Sequence, residues 1–250
     1  MTTTSPDILF LIAARGGSKR VPGKNLRKLD GLFIIGYKAL SAQKSKYCTT
    51  LAISTDTLEI QEEAKRFGVE CPFVRPAELA SDTATSDSVI LHAIAHYETV
   101  AKKRFDAVML LEPSSPFADG TDYDAAVELY MARKAALVVG MKQTEVNSIF
   151  TGTLDEDGSA ARIVNQFNVK KTIRTQDLEP EYTMNGALYL IDWDAIKTTG
   201  AIYGTPDQTY GLPMVREKSV EIDTTFDLQF AEFMISQGHV QLSFKTGTEK

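Results

Sequence analysis

The chain has 250 residues, 43% of them hydrophobic and 24% charged, which suits one large globular domain with a real core and excludes a disordered or collagen-like class. A formal net charge of −6 argues against a dedicated nucleic-acid binder, because such proteins need an extensive basic surface. Two cysteines, Cys48 and Cys71, make no disulfide framework and fit a reducing cytoplasm; MTTTSPD at the start has no signal-peptide pattern, and no apolar run reaches the length of a membrane span.

In chain order, Ile8 to Ala14 is a continuous apolar run, the mark of a strand buried on both faces. It leads into a loop with Gly16, Gly17, Pro22 and Gly23. Arg15, Lys19, Arg20, Lys24, Arg27 and Lys28 crowd this loop, and no acid appears until Asp30. Helical spacing follows over Leu32–Ser45, then a strand over 49–55 and a helix over Leu58–Phe67 stopped by Gly68. Residues 69–74 read as a short strand that Pro72 confines to an edge. A polar loop covers 75–88, with Ser86 or Asp87 as the expected cap of a helix reaching about Lys103. Residues 106–112 form a third buried strand, turned by Pro113 and Pro116, and Asp119–Lys134 is a helix before a strand at 136–141.

The pattern then changes. Residues 142–185 have few long apolar runs and carry the turn signal Asp155-Glu156-Asp157-Gly158, so they read as an inserted arm or small lobe. Strand patterning returns at 186–191, 211–215 and 219–223, with a short helix near Asp194–Thr198 and a last helix over Phe226–Ser236. Alternating strands and helices predict an α/β fold, a mostly parallel sheet covered on both faces. In such sheets ligands bind beyond the carboxyl ends of the strands. The loops at 15–25, 54–56, 75–88 and 112–116 are then predicted to line one crevice.

A basic, glycine-rich loop after a buried strand has two readings: a solvated surface loop, or a site for phosphates. The dinucleotide fingerprint G-x-G-x-x-G is absent, which disfavours an NAD-dependent enzyme. A P-loop fails as well: five residues separate Gly17 from Gly23 instead of four, and Asn25 stands where a magnesium-binding Ser or Thr belongs. What remains is a loop that uses cationic side chains together with backbone N–H groups. His92 and His96 are four apart on a helix, but no Glu follows His92, and they read as ordinary helix-face residues.

The segment AARGGSKRVPGKN resembles the signature of the sugar-acid cytidylyltransferases, the CMP-sialic acid synthetase family. STD at 54–56, RPAELASDTATS at 75–86, EPSSP at 112–116, NGALYL at 185–190 and EIDTTFDL at 221–228 resemble further family blocks in the family's order. The resemblance implies a Rossmann-like α/β domain at 1–141 and 186–250, with 142–185 as a dimerisation lobe and a homodimer as the assembly. It implies a cytoplasmic enzyme that uses CTP, Mg²⁺ and a nine-carbon sugar acid of the neuraminate, legionaminate or pseudaminate type. The CMP-sugar and pyrophosphate would be the products. An eight-carbon acid of the Kdo type is the alternative substrate, and a nucleotide-binding module without turnover is the alternative class; neither nucleic acid nor membrane is an expected partner.

Carried over residue by residue, the family pattern places Arg15 and Lys24 on the triphosphate with Ser18, Lys19 and Asn25 close by, and it assigns Arg75 and Ser86 to the cytidine. Arg20, Arg27 and Lys28 read as solvated charges, and Asp82 as a residue that holds its loop together. Glu221 and Asp223 alternate across Ile222, so on a strand both carboxylates would share a face suited to Mg²⁺. The family usually has Asp at the first of these places. Beside the sugar acid the resemblance puts Glu112, Ser114 and Asn185. Two departures stand out. Glu112 replaces the usual Gln, and Thr183-Met184 stands where many relatives carry an arginine, for which Arg174 is the nearest substitute.

Overall fold

A computed structural model describes residues 5–169 and 178–244. Arg174 therefore lies outside the described residues. The first apolar run is β1 (Ile8–Ala13), and Ile8 to Ile12 are buried because both faces of the strand are covered. The loop after it closes through a short 3-10 turn at Lys24–Leu26. Lys28–Leu29 (β2) and Leu32–Phe33 (β3) pair as a small hairpin around Asp30-Gly31. Both turn residues have positive φ, 47° and 80°, the conformation that makes Asp-Gly a hairpin turn. The expected helix from Leu32 thus starts two residues later, as α1 (Ile34–Ala42).

The chain continues through β4 (Cys48–Ser54), α2 (Leu58–Arg66), α3 (Ser86–His96), β5 (Ala107–Leu111) and α4 (Gly120–Arg133). Next come β6 (Leu137–Gln143), α5 (Ala161–Val169), β7 (Tyr182–Asp192), α6 (Trp193–Thr199), β8 (Thr209–Pro213) and α7 (Thr225–Ser236). The main sheet has six strands in the order β4-β1-β5-β7-β6-β8. All run parallel except β7, which is antiparallel to both of its neighbours. The predicted α/β class and mostly parallel sheet hold.

Four local expectations differ. Residues 69–74 form no strand: a single bridge joins Glu70 to Ala52, and Pro72 cannot donate to a longer ladder. Residues 219–223 form no strand either; a 3-10 turn at Arg216–Ser219 runs into extended chain. The cap of α3 is Thr85, whose hydroxyl accepts from Ser88 N, and not Ser86 or Asp87. The helix after it is α only to His96 and ends in a π turn at Tyr97–Ala101. The segment 142–185 begins and ends within paired strands, since Gln143 faces Tyr182 in the β6–β7 ladder.

The sheet divides the core in two. Ile8, Phe10 and Ile12 face α1, α2 and α4, while Leu9 and Leu11 face α3 and α6. A third cluster joins Leu29, Ile34, Tyr37 and Phe117 to Ile222, Leu228 and Ala231, and so seats α7 beside the opening loop. Full burial of a side chain such as Ile222 contributes about 1.5–3 kcal/mol. Among the described residues no helix is long and apolar enough to cross a membrane.

Candidate active site

The connections from β1 leave toward β4 and return across it to β5, so the strand order reverses between β1 and β5. A crevice opens at such a switch point, outside the carboxyl ends of the strands. Here those ends are Arg15 and the loop after it, and Glu112 with the turn after it. A cavity of about 440 Å³ lies between them. Arg15, Ser18, Lys19, Lys24 and Asn25 line it from the loop, Glu112 and Ser114 from the turn, and Asp223 from the far end of the chain.

The loop is held by its own polar groups. Asn25 is buried, and its amide donates to Arg15 O at 2.8 Å. Gly16 N donates to Asp56 Oδ1 at 2.8 Å. Asp82 accepts from Arg15 Nη1 at 3.0 Å and pairs with Lys19, so it ties the loop to 75–88 as expected. Gly23, at φ 65°, turns the chain into the 3-10 segment that carries Lys24.

Lys24 reaches across the cavity floor. Its Nζ donates to Ile222 O at 2.9 Å and lies 3.8 Å from Asp223 Oδ1. Ile222 N in turn donates to Ser114 O at 2.7 Å, so one peptide unit links the loop, the turn after β5 and the segment before α7. Burial pushes the Lys24 ammonium below its ordinary pKa, with Asp223 and Glu221 acting in the opposite direction. Arg20, read as a solvated charge from the sequence, instead pairs with Asp223 Oδ2 at 3.2 Å and lines the same cavity. Its signal was its place in the loop, which charge alone could not distinguish from Arg27 and Lys28.

Glu221 and Asp223 do flank the buried Ile222, but on extended chain outside any strand, and they face different spaces. Asp223 enters the loop cavity; Glu221 lines a neighbouring cavity of about 400 Å³ with Lys142 and Phe230. Burial and the Asp223 carboxylate push Glu221 up. Among the described residues no three His, Cys, Asp or Glu side chains gather around one point. His92 meets Phe73 edge to face and His96 meets it at a tilt, at 4.7 and 5.0 Å between ring centroids.

Arg75 and Ser86 line a smaller cavity of about 210 Å³ that shares Arg15 and Glu112 with the first. The Arg75 guanidinium is buried and donates to Ser54 Oγ at 2.9 Å and Ser54 O at 2.5 Å; burial lowers its pKa to about 10. It shapes the cavity by fixing the end of β4. Glu112 sits where the cavities meet and accepts from Ser86 Oγ at 3.3 Å. Burial, then the Glu221 carboxylate, push its pKa up, against the Ser86 hydroxyl.

Asn185 is not brought into these cavities. Its amide donates to Ser219 Oγ at 2.9 Å and accepts from Ala187 N at 3.1 Å. It supports a bulge: between the pairs Met141–Met184 and Val139–Tyr189, four residues of β7 oppose Gly140 alone. The bulge leaves Ala187 O off the ladder, and Lys38 supplies the donor at 3.1 Å. Lys38 also donates to Tyr123 Oη at 3.3 Å, is fully buried in α1, and is pushed down to about 7 by burial. The sequence analysis did not single out this lysine, because the bulge that it serves leaves no local pattern in α1.

A family model described as "Cytidylyltransferase" matches residues 9–232. The chain is 31% identical over 236 residues to a post-translational flagellin modification protein B of Campylobacter coli, covering 94% of this chain and 97% of that protein. It is 30% identical over 231 residues to a CMP-N,N'-diacetyllegionaminic acid synthase of Legionella pneumophila, covering 90% and 94%. A pseudaminic acid cytidylyltransferase of Campylobacter jejuni is 29% identical over 232 residues, covering 92% and 97%. Among solved structures, a CMP:2-keto-3-deoxy-manno-octonic acid synthetase complexed with CTP superposes with a TM-score of 0.66 at 13% identity, covering 92% of this chain and 99% of that one.

Proposed function

Because the chain belongs to the cytidylyltransferase family, we propose that it activates a nine-carbon 2-keto-3-deoxy sugar acid of the legionaminate, pseudaminate or neuraminate type with CTP. The observation that carries this reading is the cavity at the switch point, where Arg15 and Lys24 face Asp223 across a space continuous with the walls set by Arg75 and Ser86.

In this reading the triphosphate lies along the opening loop. The anomeric hydroxyl attacks the α-phosphorus; a new P–O bond forms as the bond to pyrophosphate breaks, and the hydroxyl proton leaves to solvent. Charge grows on the phosphate oxygens and on the leaving group. Catalysis is then mainly positioning and charge stabilisation, the work of fixed cations such as Arg15, Lys24 and Arg20. Lys24 is the best placed, because Ile222 O fixes its ammonium before any ligand arrives. Ser18, Lys19 and Asn25 border the phosphates, and Glu112 and Ser114 border the sugar acid.

Asp223, at the edge of the loop cavity, would hold a Mg²⁺ ion completed by phosphate oxygens and water, while Glu221, which faces the neighbouring cavity, adds negative charge nearby. The Asp223 carboxylate raises the proton affinity of Glu221, and negative charge gathered in this way favours a divalent cation. The ion would supply countercharge to the triphosphate. We read 142–185 as an arm that meets a second copy, a reading supported by the exposed Phe150, Leu154, Val164 and Phe167.

The test is pyrophosphate release from CTP and Mg²⁺ with a panel of sugar acids. Release with a nine-carbon acid supports the proposal. Release with an eight-carbon acid alone moves the substrate class, and no release with any acid points to a binding module.

A further inference from the structure

The sheet splits just ahead of Glu112. Strand β7 pairs with β5 from Asp192 back to Tyr189, opposite Ala107 to Leu110, and there the ladder stops. Leu111 continues its pairing with Ile12 on the β1 side alone. The bulge in β7 takes the chain away at this point and brings it behind the turn that follows β5. A Cβ on Gly186 would lie 3.2 Å from Ser115 Oγ and 3.3 Å from Glu221 Oε1, and Ser115 Oγ donates to Asn185 O at 3.4 Å. Ser115 N closes the turn on Glu112 O at 3.1 Å, and Ser114 O in the same turn accepts from Ile222 N. Where the bulge sits therefore decides where Glu112 and Ser114 sit.

Lys38 holds the bulge from α1. Its side chain is fully buried, and its ammonium donates to Ala187 O at 3.1 Å and to Tyr123 Oη at 3.3 Å. Tyr123 is fixed in turn, since its hydroxyl donates to Ala118 O at 2.9 Å. Asp122, Glu112 and Asp119 act on the ammonium from a distance, and the direct partners are a carbonyl and a hydroxyl. A methionine would fill the same space without the cost of burying a cation, a cost that shows in the lowered pKa of about 7. What methionine lacks is a donor for a buried carbonyl that the ladder cannot satisfy. The amine keeps an N–H for Ala187 O whether or not it is charged.

We propose that Lys38 is a positioning residue of the active site: through Ala187 O it pins the β7 bulge behind the Glu112–Ser115 turn, and so holds Glu112 and Ser114 at the place where they meet the sugar acid. The proposal rests on the cytidylyltransferase reading above for the ligand that meets the turn, and on the geometry alone for the anchor. Lys38 touches neither substrate in this arrangement. It acts through the bulge, and its effect falls on the sugar-acid side of the cavity, away from Arg75 and the nucleoside wall.

The experiment compares the whole chain with Lys38→Met, which removes the donor, and Lys38→Gln, which keeps a shorter neutral one. Amide hydrogen exchange is followed by NMR at Ser115 and Ile222, whose N–H groups bond within the turn and to it, and in the β1–β4 ladder as the reference for global stability. In Lys38→Met the two amides should exchange about tenfold faster than any change in the ladder accounts for. Steady-state pyrophosphate release should show KM for the sugar acid rising by roughly tenfold, with KM for CTP nearly constant. Lys38→Gln should fall between Lys38→Met and the natural chain, and it carries both measurements if Lys38→Met does not fold. Exchange at Ser115 and Ile222 that rises no more than in the ladder overturns the proposal, because a lysine that only stabilises the fold would act on all amides alike. An unchanged KM for the sugar acid, or an equal rise for CTP, overturns it as well. If the natural chain releases no pyrophosphate with any acid, the functional reading fails, and the exchange rates alone then decide for or against the anchor.

Discussion

Lys24 Nζ donates to the carbonyl oxygen of Ile222 at 2.9 Å, across 198 positions of sequence. The bond fixes an ammonium between the two halves of the proposed site before substrate binds. Lys24→Met keeps the length of the side chain and removes the charge and the donor. The expected loss is about 10²–10³ in kcat, the scale seen when one fixed donor is taken from a site of developing negative charge. Steady-state pyrophosphate release measures it, with the melting temperature read alongside to separate it from lost folding.

Gly186 lies at φ 64°, and a Cβ there would meet Ser115 Oγ and Glu221 Oε1. Gly186→Ala should cost about 1–2 kcal/mol from the left-handed backbone alone. Because the added methyl displaces Glu221, the Mg²⁺ concentration for half-maximal rate should rise as well. A metal titration of the variant, set beside its denaturation curve, tests both effects.

Arg75 grips Ser54 through two nitrogens at once, a geometry lysine cannot reproduce. Arg75→Lys should therefore raise KM for CTP by about tenfold, one lost contact of ~1.4 kcal/mol. KM for the sugar acid should stay nearly constant. Equal rises in both would remove Arg75 from the nucleoside wall.

Lys38 gives a pH prediction with a definite sign. Its folded pKa, about 7, lies below the model-peptide value of 10.5. Between those values the unfolded chain carries the extra proton, so stability increases with pH through this window, by up to about 1.4 kcal/mol per unit. Below pH 7 both states are protonated and this contribution is flat. Lys38→Met should abolish the rise. Urea unfolding at pH 7, 8 and 9 compares the two slopes.

Much of the fold was legible because strongly apolar strands such as Ile8–Ala13 and Ala107–Leu111 are buried on both faces and need no partner to be recognised. The loop cavity was legible for a related reason: Arg15 and Glu112 come straight after such strands, so the sheet places them, whereas Lys24 sits on a turn eleven residues past β1 and was legible only through the family pattern. Residues 219–223 were harder. Alternation across Ile222 is correct, yet the segment earns no ladder because Ile222 N bonds Ser114 O and Ile222 O bonds Lys24, groups outside any strand. Arg20 and Lys38 were opaque for opposite reasons. Arg20 reads as a solvated charge and is paired with Asp223; Lys38 belongs to no motif and is buried under a bulge that no local pattern announces.

The order of the chain has a consequence for how the protein comes into being. The six-stranded sheet has all its strands once Pro213 has been made, but Ile222 and Asp223 follow it. A nascent chain can thus complete its main scaffold while the opening loop still lacks its anchor and its counter-carboxylate. The loop cavity closes only when the segment before α7 emerges and Ile222 joins the cluster that holds Tyr37 and Phe117. The site thus depends on a stretch made after every strand of the sheet, and a protease cut between Pro213 and Ile222 would silence it while leaving every strand in place.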